Sequence, residues 1–112
     1  MGTLVQTLRV QQGVTFRFVL GLSGGPTDLA GFTAQMQVRP TKESETVLLD
    51  IDTNDGGLLL NAGARQLTIY LPPATTRAFL WEEAVYDIEL RNGTDEWRPM
   101  QGHIVVDREV TR

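Results

Sequence analysis

Apolar and polar residues alternate along most of the chain, in short runs that close on glycine, proline, asparagine or aspartate. Phe16, Phe18, Leu20 and Leu22 alternate with Arg17, Val19 and Gly21. Phe32, Ala34, Met36 and Val38 alternate with Thr33, Gln35, Gln37 and Arg39, and Tyr86, Ile88 and Leu90 with Asp87, Glu89 and Arg91. A period of two turns one face of a strand to a core and the other to water. Several such runs separated by turn signals predict a small all-β sandwich.

The pattern predicts about eight strands, over residues 4–10, 14–22, 32–39, 46–52, 58–60, 66–71, 84–91 and a return strand from Trp97 that 103–107 completes. Leu4, Gln6, Leu8 and Val10 would share one side of the first. Ser23-Gly24-Gly25-Pro26 is a turn, Leu29 a plug for the sandwich end, and Gly31 the bend into the third strand. Residues 74–80 allow one short helical turn behind Pro73, where a missing N–H costs nothing. Asn92-Gly93 is the strongest hairpin signal, and Pro99 predicts a bulge or an edge position. Tyr86 falls where sandwiches use a corner tyrosine, its hydroxyl bonded to nearby backbone. Residues 108–112 read as a charged, frayed tail.

A length of 112 residues fits a single domain, 1–112, able to bury a core without staples. The chain has no cysteine, which excludes disulfides and thiolate metal sites. A net charge of −4 opposes a surface that tracks phosphates, so nucleic acid is not expected as a partner. The cations are nine arginines and Lys42. Arginine is favoured in interfaces, although a GC-rich coding sequence gives the same bias. No segment has the length of a membrane span, and the start lacks a secretory pattern. Met1-Gly2 opens like an acylation site, but Gln6 stands where serine or threonine is needed. The expected location is a cytoplasm, at least until assembly.

Candidate chemistry is sparse. Asp50 to Gly56 resembles the start of a calcium loop, with clustered oxygens on a turn. The match fails in detail: Asp55 stands where the loop glycine belongs and Asn61 where the closing glutamate belongs, so a solvated acidic turn is the reading. His103 is the only histidine, and Ser23 and Ser44, the only serines, lie in turns without a nucleophile-elbow pattern. Glu82-Glu83 and Asp95-Glu96 are paired acids, but short loops leave little room for a glycosidase cleft. Asn92-Gly93-Thr94 matches a glycosylation sequon that reads as a turn. Trp81 and Trp97 are candidate interface or sugar-platform aromatics. One of the two is expected in the core, with Trp81 placed to cap the sandwich end. No catalytic, cofactor or metal residues are assigned.

Four segments together carry a resemblance: 12–20 (Gln12-Gly13-Val14-Thr15-Phe16 and onward), 28–39 (Asp28-Leu29-Ala30-Gly31-Phe32 and onward), 85–90 (Val85 to Leu90) and 101–106 (Gln101-Gly102-His103-Ile104-Val105-Val106). Their order resembles small immunoglobulin-like virion proteins of tailed bacteriophages and, more distantly, the N-terminal domain of phage upper-baseplate proteins. The resemblance covers nearly the whole chain and rests on fold signatures. It implies an immunoglobulin-like sandwich without enzymatic activity, acting as an adaptor in the tail or baseplate. The partners would be other virion proteins, among them tail, baseplate, fibre or capsid subunits, in a homo- or hetero-oligomer within the particle. Head decoration and carbohydrate or receptor binding are the alternatives. The baseplate proteins continue into further domains and this sequence stops at Arg112, which favours a stand-alone joint. Trp97, Arg98, Arg91 and the Lys42 loop are the expected contact positions, and a strand offered by residues 4–10 or the 108–112 tail is a further means of contact.

Overall fold

The computed structural model describes residues 3–111; Met1-Gly2, with its acylation-like start, and Arg112 lie outside the described residues. The strands are β1 (Leu4–Val5), β2 (Leu8–Gln11), β3 (Phe16–Gly21), β4 (Thr33–Arg39), β5 (Leu49–Asp52), β6 (Leu58–Asn61), β7 (Gln66–Leu71), β8 (Glu83–Arg91) and β9 (Glu96–Asp107), with one helix, α1 (Pro73–Arg77), between β7 and β8. They form two sheets. One runs β1-β9-β8-β4-β5 with β2 also on β9, and the other runs β3-β7-β6. The chain is the small all-β sandwich that the alternation predicts, with nine strands among the described residues.

The core lies between the sheets. Ala34, Met36 and Val38 of β4 and Ala84, Tyr86, Ile88 and Leu90 of β8 face Leu58, Leu67, Ile69 and Leu71 of the smaller sheet. β4 and β8 pair in register from Thr33 opposite Arg91 to Arg39 opposite Val85. Their even-numbered residues therefore all point inward, because side chains alternate across a pleat. Leu29 is buried and closes one end of the core, next to Gly31 at φ +81°.

Several boundaries differ from the expectation. Residues 4–10 form two short strands, both parallel to β9, with a break at Gln6-Thr7. At the break the Tyr86 hydroxyl donates to the Gln6 carbonyl at 2.6 Å, a backbone partner as expected of this tyrosine, but one 80 residues away in sequence rather than at a local corner. Gly102, at φ +155°, lies beneath, and a Cβ there would run into the Gln6 carbonyl oxygen. β5 begins at Leu49 rather than Thr46, and Val47 is exposed. The Asn92-Gly93 signal closes a four-residue loop, since Arg91 pairs with Glu96. The Asn92 side chain accepts the amides of Thr94 and Asp95 at 3.0 and 2.7 Å, so an Asx turn does the work of a two-residue hairpin. β9 is one strand of 12 residues. Ile88 faces Met100 but Leu90 faces Trp97, which places a bulge at Arg98-Pro99, where proline withholds a ladder donor.

The tail is anchored through Glu109 rather than frayed. Its amide donates to the Gln12 side chain at 3.0 Å and its carboxylate pairs with Arg77 at 3.3 Å. Gln12 and Thr76 are the two polar side chains buried among the described residues. The Gln12 amide donates to the Phe79 carbonyl at 2.8 Å. The Thr76 hydroxyl accepts the Gly13 amide at 3.0 Å and donates to the Val14 carbonyl at 2.9 Å. Together they hold the crossing from β2 to β3 against α1. Thr76→Val keeps the shape and takes the hydroxyl away from the part-buried Gly13 amide and Val14 carbonyl. It is expected to cost about 1–3 kcal/mol, read as a lower urea midpoint with an unchanged slope.

Candidate functional site

The outer face of the six-stranded sheet is built from the odd-numbered residues of β4 and β8, and register puts them in rows. Gln35 lies beside Glu89, Gln37 beside Asp87 and Arg39 beside Val85, while Gln101 of β9 continues the row of Asp87. These side chains are half-buried although they face outward, and Gln35, Gln37 and Arg39 among them are joined by side-chain hydrogen bonds. Asp50 of β5 accepts from Gln35 at 2.9 Å and from Gln37 at 3.0 Å. Arg39 donates to the Gln37 side chain at 2.9 Å and to the Ser44 carbonyl at 2.8 Å, which ties the loop carrying Lys42 over the sheet.

A groove of about 280 Å³ runs along this face, lined by Gln37, Arg39, Lys42, Asp87, Arg98 and Gln101 among others, with Tyr86 contributing to its wall. Arg98 lies 3.4 Å from Asp87, and Arg91 3.6 Å from Glu89. Both pairs are solvated and contribute little to stability. Neither Arg39 nor Lys42 forms an ion pair among the described residues, and the groove lining, with Arg39, Lys42 and Arg98 against Asp87 and Glu89, carries one more cation than anion. The arrangement suits a partner that presents carboxylates, with the exposed Lys42 ammonium and the terminal N–H groups of Arg98 as donors.

Three of the four expected contact positions share this face. Arg98 and Lys42 line the groove, and Arg91 borders a smaller cleft beside it with Thr33, Gln35 and Asp52. Trp97 does not join them. It is 6 % exposed and packs in the core under Gly25, whose missing Cβ makes room for the indole. Leu90 lies opposite Trp97 in register, which turns the ring inward, and the bulge that follows returns Arg98 to the surface. This corrects the expectation of an exposed Trp97 contact. Trp81 is half-buried and packs on Phe79, with ring centroids 4.8 Å apart at the sandwich end. Gln37, Arg39, Asp87 and Gln101 were not singled out from sequence. Their signal was the run of glutamine and arginine at the wet positions of two adjacent strands.

Of the remaining candidates, Ser44 sits in the loop bonded to Arg39, while His103 and the Asp52-Asp55 turn do not line the groove. His103 Nδ1 is 3.4 Å from Glu83 on the same sheet, and Ser44 Oγ accepts the Thr46 amide at 3.1 Å. Asp52 accepts the amides of Asn54 and Asp55, and Asp55 those of Asp52 and Gly57, so these carboxylates close their own turn. No known protein family matches the chain, and no curated protein matches it.

Burial pushes the Tyr86 phenol well above the ordinary tyrosine value, since its ionised form would be desolvated. The unfolded chain ionises this group near pH 10 while the folded chain keeps the proton. Its contribution is thus complete below about pH 10 and falls as pH rises beyond it. Tyr86→Phe is expected to lower stability by about 1 kcal/mol at neutral pH through the lost bond to Gln6. It should also flatten the alkaline limb of a stability-against-pH curve measured by urea unfolding.

Proposed function

We infer that the chain is a non-enzymatic structural subunit of a tailed-phage particle, working as an assembly adaptor of the tail or baseplate. The observation that carries this reading is the half-buried lattice of glutamine, arginine and aspartate across the six-stranded sheet. Its side chains are held in place before any partner arrives, so docking loses little rotamer entropy. The resemblance adds support. Its four segments supply most or part of β3, β4, β8 and β9, which build both layers of the core. The groove selects an acidic surface on another virion protein, with Lys42, Arg39 and Arg98 as the contacts. A sugar platform at Trp97 loses its basis with the burial of that ring.

Copy number tests the assignment. Mass spectrometry of purified particles of the phage carrying the gene is expected to find the chain near the abundance of the portal protein. Abundance near that of the major capsid protein would make it a head decoration subunit instead, and absence from particles would overturn both. Reversing charge at the groove, with Lys42→Glu and Arg98→Glu together, should cut incorporation by about tenfold and leave the thermal midpoint within a few degrees of the parent.

A further inference from the structure

We propose that β3 is a docking edge for a second copy of this chain, paired antiparallel across a two-fold axis at Val19. The other sheet edges are blunted. β1 and β2 hold two and four residues and are interrupted at Gln6-Thr7. β5 carries Asp50 and Asp52, and the Asp52 amide is taken by the Asp55 carboxylate at 3.2 Å. β6 is four residues between two turns. β3 runs six residues without proline or bulge and pairs with β7 alone. An edge of that kind is a template for a further strand.

The free groups point the right way. Leu22 donates to the Arg65 carbonyl at 2.8 Å, one step beyond Gly21 opposite Gln66. Residues opposite each other alternate between bonded and unbonded pairs, so the even positions of β3 bond to β7. Arg17, Val19 and Gly21 then turn their N–H and C=O groups to the open side. The same edge leaves apolar surface uncovered: Phe16 and Phe18 are half-buried, and Val19 is 52 % exposed.

The sequence of β3 fits a second copy as the occupant. A two-fold axis at Val19 sets Val19 against Val19, Phe18 against Leu20 and Arg17 against Gly21, so outward groups meet outward groups. Arg17 is the one ionisable residue of β3; its guanidinium is held 4.9 Å from the Tyr70 ring centroid, and it meets a residue with no side chain. Pairing β5 with its own copy would set Asp50 against Asp52, and like charges opposed across strands are destabilising. The β3 pairing is isologous, closes at two copies and joins two three-stranded sheets into one. Its small contact makes the dimer concentration-dependent.

The chain has no cysteine, so Val19→Cys installs a single thiol on the axis. Opposed Cα atoms in a bonded antiparallel pair are about 5.5 Å apart, within disulfide reach. Under mild oxidation V19C should form a covalent dimer much faster than L59C, which places a thiol on the outer face of β6. Val19→Pro removes a donor that the single copy does not use. It should keep the parent's circular dichroism and weaken dimerisation by about tenfold in sedimentation. Equal cross-linking of V19C and L59C, a parent that stays monomeric at about 1 mM, or a dimer that survives V19P would each overturn the proposal. Should V19P fail to fold, the comparison of V19C with L59C decides alone. The inference does not rest on the adaptor reading, and particle copy number leaves it untouched.

Discussion

The Gln12 carboxamide and the Thr76 hydroxyl hold the point where the chain leaves the larger sheet for the smaller one. Both are buried, and each meets backbone groups that would otherwise have no partner. Buried polar groups are costly when unpaired and specific when paired. These bonds fix where β2 ends and β3 begins, and with that the parity of β3. A slip by one residue would turn Phe16, Phe18 and Leu20 to water and Arg17 to the core. The same pair draws in α1 and the Glu109 segment, so three parts of the chain distant in sequence meet at one corner.

Parity set at that corner has a counterpart on the far side of the molecule. In β4 and β8 each inward apolar residue obliges its neighbour to face out. The outward residues here are mostly glutamine, arginine and acids long enough to reach across strands. They settle into mutual hydrogen bonds and surrender part of their exposure. A surface ordered in this way presents fixed donors and acceptors, which suits recognition of another protein better than it suits turnover of a small molecule.

The sandwich was legible in sequence because period two survives in β3, β4 and β8, where one face is dry. It was less legible in residues 4–10. Leu4, Gln6, Leu8 and Val10 keep the alternation, but the kink at Gln6 depends on Tyr86 and Gly102, which lie far along the chain. The Asn92-Gly93 turn was legible between strands ending at Arg91 and resuming near Trp97, while the Asn92 side chain that closes its four-residue loop was not. For the candidate site, Arg98, Arg91 and Lys42 fell on one face, but Trp97 was misplaced. Aromatic character does not report which side of a strand a ring occupies. The bulge beside Pro99 breaks the simple count in that strand, so parity could not be carried through it.

The parallel pairing of β1 and β2 with β9 has a mechanical consequence. Thr3 lies beside Arg98 at the start of β9, and Gln11 beside Asp107 at its end. The described chain therefore enters beside the start of β9 and leaves beyond its end. Tension applied through the two ends would slide these strands along each other and load their cross-links side by side, instead of peeling them open one at a time. A link that shares force in this way yields late and abruptly, and successive units joined end to end would transmit a pull along a single line.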